Sequence, residues 1–289
     1  MKNPLSKENT EDSSINLVTK SVGGDKKSLN ELIIRHEPFI YNVAWKYTGN
    51  EDTAKDLTQE VLIKVITSLS SFKGKSSFKT WLYRIVVNQF LQAKRKPMED
   101  RWLNFDDFTN QLNAIPSPDL SADEKIEKEL RTKTARHRCM SGMLMCLTRE
   151  QRLLYILGDV FKINHRIGAE IFNLTKENYR VKLSRTRKDF HAFMNQQCGL
   201  VKKENPCRCY KKAKAMEAAG KMKTNEMLFN EKYYTTISRY VNNVADEVSD
   251  IVDRKYIDFF QKHPAKSDFG TETVINEIIN DEQLNKYFK

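Results

Sequence analysis

The sequence predicts an all-α chain, and three observations carry that prediction. Gly and Pro are scarce, at 10 and 7 of 289 residues, and low Gly and Pro with much Lys, Glu, Leu and Ile favours helix over other structure. Apolar residues recur with the helical period in segment after segment. Residues able to cap a helix stand just ahead of several of those segments. A chain of this length holds about two domains.

The elements follow in order. Met1 to Ser14 is polar and predicts a disordered tail. Ile15 to Val22 predicts a short helix, ended by Gly23-Gly24. Ser28 to Tyr47 predicts a longer one, with Leu29, Leu32, Ile33, Phe39, Ile40, Val43 and Ala44 as its apolar positions; Pro38 marks a kink or restart. Gly49-Asn50 breaks it. Asn50 caps the next helix, which runs to about Leu69 and buries Leu57, Val61, Leu62, Val65, Ile66 and Leu69. Asp56, Gln59, Glu60 and Lys64 fall largely on its other faces.

Phe72 to Lys96 begins as a Gly- and Ser-containing basic loop. It continues as a helix with an apolar stripe at Trp81, Leu82, Ile85, Val86 and Phe90. Lys73, Lys75, Lys79, Arg84, Lys94, Arg95 and Lys96 are all positive, and no acid lies between Lys73 and Met98. Positive charge beside Phe72, Phe78, Trp81 and Tyr83 suits a polyanion whose bases can stack. The plain alternative is a core helix with a solvated basic face. Pro97 ends this helix and composition flips to acidic from Glu99 to Leu130, with Ile115-Pro116-Ser117-Pro118 interrupting any regular element; residues 99–139 read as a linker.

Helical pattern resumes through Met140 to Cys146. Thr148 with Gln151 three residues on forms a capping-box pattern, ahead of Leu153, Leu154, Ile156, Leu157 and Val160. A short helix with Ile167, Ala169, Ile171 and Phe172 follows. A tight turn at Asn173-Leu174 then leads to Thr175 as N-cap of a basic helix. Helix, short turn and basic helix is the helix-turn-helix arrangement. Tyr179 and Leu183 are its packing residues, while Lys176, Glu177, Asn178, Arg180 and Lys182 face outward. A basic surface helix in an ordinary bundle is the alternative. Helical stripes also occur from Asn225 onward, broken at His263-Pro264, and again over Thr271 to Phe288.

The net charge of +11 points to an anionic partner, nucleic acid or a lipid surface. No apolar run is long enough to span a bilayer and the N-terminus carries no signal peptide, so a cytoplasmic chain without membrane insertion is expected. Nothing supports an enzyme: there is no P-loop, GxGxxG or HExxH, and the five histidines are scattered. Cys198, Cys207 and Cys209 lie within twelve residues and are candidate metal ligands, with His191 or Cys146 as the fourth. No cofactor is required by this reading. Zinc is the candidate, set against reduced bystander thiols.

The run SSFKTWLYRIVVN, preceded by DLTQEVLIKV from Asp56 to Val65, resembles region two of bacterial RNA polymerase sigma factors of the small extracytoplasmic-function class. Asp56, Gln59, Glu60, Phe72, Gly74, Ser77, Phe78, Thr80, Trp81, Leu82, Arg84, Ile85 and Asn88 match in order. Leu147 to Arg152 and Leu183 to Lys188 resemble region four of the same family. Between them the pattern departs: Phe161 to His165 stands where the family has a Gly-containing loop, and Asn178-Tyr179 where it has a Gly-Thr or Gly-Ala pair. The run Asn205 to Cys209 is similar to a segment that closes a subset of these factors.

The resemblance implies an organisation: a tail at 1–14, region two at 15–98, the linker at 99–139, region four at 140–195, and a Cys-containing helical extension of unknown role at 196–289. It implies that Asp56, Gln59 and Glu60 meet core RNA polymerase. It places a flipped base of the promoter minus-ten element against Phe72, Lys73, Lys75 and Ser76, with Arg84, Asn88 and Gln92 toward the nontemplate strand. It gives Lys176, Asn178, Arg180, Lys182 and Arg185 to the minus-thirty-five element. Core polymerase and promoter DNA are the implied partners, with an anti-sigma factor as a further candidate. A helix-turn-helix regulator that works without polymerase is the alternative function.

Overall fold

A computed structural model describes residues 12–94, 99, 104–119, 121 and 128–222. The expected helices beyond Asn225 lie outside the described residues. The described elements are helical, apart from one isolated bridge between Cys198 and Cys207. None of these helices is long and apolar enough to cross a membrane. We number the helices α1 (Asp12–Val22), α2 (Lys26–Thr48), α3 (Glu51–Ser68), α4 (Phe78–Gln92), α5 (Phe105–Ala114), α6 (Lys128–Met145), α7 (Arg149–Tyr155), α8 (His165–Phe172), α9 (Lys176–Gln197) and α10 (Cys209–Ala218).

The chain divides into two compact units. Described residues of the first come from Met1–Lys96 and Ile156–Lys182, and those of the second from Pro97–Tyr155 and from Leu183 onward. The segment expected as one domain at 140–195 is therefore shared between them.

In the first unit α2 and α3 form the central pair. The α2 helix runs unbroken through Pro38. Proline supplies no N–H to the preceding turn, yet the helix continues, and the Asn42 side-chain amide donates to the Pro38 carbonyl at 2.7 Å. The helix therefore does not restart at Pro38. Gly49 closes α2 in the left-handed conformation, φ 65°, which glycine adopts without the steric cost of a Cβ. Asn50 then caps α3 by accepting from the Thr53 amide at 2.8 Å. The six apolar residues expected on the buried side of α3 are all buried.

The start of the chain also differs from expectation. Ser14 lies in α1, is buried, and accepts from Arg35, so the tail does not extend to it. The α4 helix stops at Gln92, before the basic residues that precede Pro97. Its fully buried side is Phe78, Leu82, Tyr83, Val86, Val87 and Phe90, whereas Trp81 and Ile85 are only half-buried. The buried stripe is rotated from the one expected because Tyr83 and Val87 turn inward. The Tyr47 hydroxyl ties α2 to the end of α4 by donating to the Phe90 carbonyl at 3.0 Å.

Two buried bases mark this core. The Lys46 ammonium lies 5.2 Å from the Trp45 ring centroid and 5.5 Å from that of Phe161. Burial pushes its pKa down to about 7, and the two ring faces favour its charged form. His36 is buried with Nδ1 3.3 Å from the Tyr83 hydroxyl, edge-on to the Phe78 and Tyr83 rings.

The second unit contains most of the acidic stretch, and that stretch is not a bare spacer. Glu99 is buried and receives Arg149 at 2.6 Å and Arg152 at 3.0 Å. Arg152 also donates to the carbonyls of Leu144, Met145 and Leu147, so it caps the C-terminal end of α6 while pairing with Glu99. In α5, Phe105 and Phe108 pack on Phe193, with centroids 5.4 Å away in each case. Tyr155 stacks on Phe190 at 4.5 Å. Thr148 and Gln151 make both arms of the capping box: the Thr148 amide donates to Gln151 Oε1 at 3.1 Å, and the Gln151 amide donates to Thr148 Oγ1 at 3.3 Å.

The buried imidazole of His36 has a measurable consequence. Burial first, then Lys79 and Arg35, pushes its pKa from 6.5 to about 3. Between those values the unfolded chain takes up a proton that the folded chain refuses. The stabilising effect is therefore present above 6.5 and lost as pH falls toward 3. Denaturant titrations at pH 7 and pH 5 should show the native chain losing about 2 kcal/mol more than a His36→Phe variant. Equal losses would mean that His36 is protonated in the fold.

Candidate nucleic-acid interface

The first set of expected residues lies on α3. Asp56, Glu60 and Lys64 are exposed at successive four-residue steps, and Gln59 beside them is half-buried. They occupy the side away from Leu57, Val61, Leu62 and Val65, so their charges stay in water while the apolar residues pack. The structure thus brings Asp56, Gln59 and Glu60 together on one helix face.

The second set spans the loop before α4 and one side of that helix. Gly74 takes a left-handed φ of 68°, which turns the loop and leaves Lys73 and Lys75 exposed. Phe72 and Ser76 are half-buried. The Phe72 ring packs edge-on to Phe78 at 5.5 Å and tilts over Trp81 at 5.6 Å. Trp81 and Phe78 are 5.7 Å apart, so the three rings form one aromatic cluster with its outer side at the loop. Ser77 caps α4 by accepting from the Thr80 amide at 3.1 Å. Arg84, Asn88 and Gln92 follow at i, i+4 and i+8, and therefore share a face. Asn88 and Gln92 are exposed. Arg84 is half-buried and donates Nε and Nη2 to the Glu170 carbonyl, at 3.1 and 2.9 Å. That carbonyl lies near the C-terminal end of α8, where the helix dipole is negative. The partner is 86 residues away in sequence, and no local spacing could have disclosed it.

The third set lies on α9. The α8 helix ends at Asn173 with φ 54° and ψ 45°, and the Thr175 hydroxyl accepts from the Asn178 amide at 3.1 Å. This is the short turn and N-cap that the sequence predicts. Tyr179 and Leu183 are buried, as expected. Lys176, Asn178, Arg180 and Arg185 are exposed, whereas Lys182 is half-buried.

The two departures from the family pattern each have a local account. Lys162, in the loop where the family has glycine, takes φ 54°, so a side chain here occupies the left-handed region that glycine would enter freely. Tyr179, in place of a small residue, needs room. Gly168 of α8 supplies it, because a Cβ built there would lie 2.4 Å from the Tyr179 ring.

The cysteines come together only in part. Cys198 and Cys207 face each other across the bridge, with the Gly199 amide donating to the Cys207 carbonyl at 3.1 Å. Cys207 and Cys209 are buried, whereas Cys198 and Cys146 are half-buried. Burial pushes the Cys198 thiol up to about 11 and that of Cys146 to about 12. A hydrogen bond with Cys207, and then burial, raises Cys209 well above its ordinary value. Among the described residues no three or more His, Cys, Asp or Glu side chains form a set that could hold a metal ion.

Comparison with known proteins bears on the first two of these surfaces. Residues 32–98 match sigma-70 region 2, a span that holds the α3 face, the Phe72 loop and the α4 face. A sigma-E factor of RNA polymerase from Haemophilus influenzae, of the extracytoplasmic-function class, is 29% identical over 180 residues, covering 59% of this chain and 89% of the relative. The corresponding factors of Escherichia coli and Salmonella typhimurium are 37% identical over 89 residues. The chain spans about half the length of these two relatives, 46% in each case. The chain is thus helical, carries a sigma-70 region 2 match over residues 32–98, and is similar to sigma factors of the extracytoplasmic-function class.

The seat of Tyr179 against Gly168 can be tested. Gly168→Ala should destabilise the chain by roughly 1–3 kcal/mol through overpacking, despite the better helix propensity of Ala. Adding Tyr179→Leu should cost less in that background than in the native one. A neutral or stabilising Gly168→Ala in thermal melts would show that the ring does not lie against α8.

Proposed function

We propose that this chain binds core RNA polymerase, directs it to promoters and helps open the minus-ten region. The observation that carries this reading is the Phe72 aromatic cluster beside exposed Lys73 and Lys75, inside the region 2 match. Unstacking a base costs a few kcal/mol. One base stacked on an aromatic side chain returns about 1–3 kcal/mol, and lysine contacts to phosphate add to that. Asn88 and Gln92 extend the surface along α4 toward the displaced strand. Arg84 joins them by exchanging the Glu170 carbonyl for a phosphate, a stronger charged acceptor. Asp56, Gln59 and Glu60 on α3 are the surface for core polymerase.

The α8–α9 pair is the reader of the minus-thirty-five element, with Lys176, Asn178, Arg180 and Arg185 facing the groove and Lys182 at its margin. The Thr175 cap and the buried Tyr179 and Leu183 support this assignment, because they fix which residues face out. A regulator acting without polymerase is not favoured, since the matched relatives are sigma factors and such a regulator has no use for the Phe72 loop. An anti-sigma factor would be a protein that co-purifies with the chain and blocks its transcription in vitro. Metal analysis of the purified chain tests the zinc expectation directly: stoichiometric zinc would bear it out, and its absence would leave Cys198, Cys207 and Cys209 as reduced thiols.

Run-off transcription with core polymerase, with and without this chain, tests the whole reading. Specific transcripts should depend on it. Phe72→Ala should lower open-complex formation by roughly tenfold, as expected for a lost base stack, while closed-complex binding changes by less than about twofold. Permanganate reactivity of unpaired thymines separates the two steps. Phe72→Leu, which keeps an apolar contact with Phe78 and Trp81, should show the same defect. Equal loss in both steps for both variants would remove Phe72 from melting.

A further inference from the structure

The outward side of α9 carries an apolar group among polar ones. Val181 is 47% exposed. Its exposed neighbours on the helix include Asn178, Arg180, Ser184 and Arg185. The other large apolar side chains exposed among the described residues, Ile15, Val22, Ile34 and Leu200, lie outside α9.

Single exposed apolar residues are ordinary on a protein surface. This one is placed where the surrounding groups give it a use. Asn178, Val181 and Arg185 stand at i, i+3 and i+7, so they follow one line along the helix. Tyr179 and Leu183, exposed by 0% and 1%, fix the rotation of α9 and so hold that line outward. A valine on a helix has essentially one χ1 rotamer, so its methyl groups are held in position without further entropy loss. Val181 has no donor or acceptor and cannot read a hydrogen-bonding edge. In the major groove the apolar group on a base edge is the C5 methyl of thymine.

We propose that Val181 is a specificity-determining residue that contacts the C5 methyl of one thymine in the minus-thirty-five element. The inference rests on the reading of α9 as the recognition helix. Its neighbours divide the remaining work: Asn178 suits adenine, Arg185 suits guanine or phosphate, and Arg180 suits phosphate.

The test uses holoenzyme assembled from core polymerase and the full chain, bound to a promoter that this chain transcribes. Each thymine of the minus-thirty-five element, on either strand, is replaced singly by deoxyuridine, which removes only the methyl group. Native holoenzyme should lose about fourfold in affinity at one position, the equivalent of one buried methyl group. Val181→Ala should bind the unmodified promoter more weakly by a similar factor and be indifferent to deoxyuridine at that position. Its response to base-pair changes elsewhere in the element should be unaltered. Val181→Thr, which keeps one γ-methyl, should retain part of the methyl effect. If native and Val181→Ala holoenzymes respond alike to every replacement, the inference fails while the recognition-helix reading stands. If scrambling the whole element leaves affinity unchanged, that underlying reading fails as well.

Discussion

The α8–α9 pair depends on one close approach, the Tyr179 ring lying where a Cβ of Gly168 would otherwise be. With any side chain at 168 the two helices would have to part or the ring would have to turn. Because they do not, His165 and Phe172 also reach the ring, with centroids 6.0 and 5.9 Å away. The ring therefore sets the rotation of α9 about its own axis, and that rotation decides which residues face out. Exchanging a small residue for tyrosine at this position leaves the helix pair intact because the room comes from the opposite helix.

A second constraint concerns Arg84. A half-buried guanidinium needs an acceptor, because a charge withdrawn from water without a partner is costly. The Glu170 carbonyl fills that need with two hydrogen bonds. Phe161 adds an apolar tie in the same unit, 4.7 Å from Phe39 and over the Lys46 ammonium. The residues that follow α7 thus pack with α2 and α4, far from them in sequence. An order of domains read along the chain cannot show this, since compactness is a property of contacts and not of sequence neighbours.

What was legible in the sequence was local. Asn50, Thr148 with Gln151, and Thr175 are caps whose partners lie within three residues, and a cap announces itself by residue type and spacing alone. The buried face of α3 followed from period alone. Pro38 does not end α2, because the cost of proline within a helix is one missing hydrogen bond and one clash, and the helix continues through it. The shift of the α4 stripe was hidden because Tyr83 and Val87 compete with Trp81 and Ile85 for the core, and only the neighbouring helices decide between them. Val181 was hidden for the same reason: an apolar residue in a helix is expected to pack until its neighbours are seen to leave it out. Glu99 was read as one acid of a spacer because its two arginine partners lie 50 and 53 residues on.

Net charge is the place where sequence and structure must be weighed together. The stretch from Lys202 to Lys221 is also basic. In the fold, Lys211 pairs with Asp119, Lys214 donates to the Asp119 carbonyl, and Lys212 is buried with its ammonium on the Ile115 carbonyl. Three of its positive groups are thus committed to the acidic segment within their own unit. A phosphate would have to compete with these partners, whereas Lys73, Lys75, Asn88 and Gln92 stand exposed on the Phe72 loop and α4. Counterion release rewards cations that reach phosphate without first giving up a protein partner. The overall excess of positive charge therefore says less about where a polyanion would find accessible cations than the placement of a few lysines around one loop.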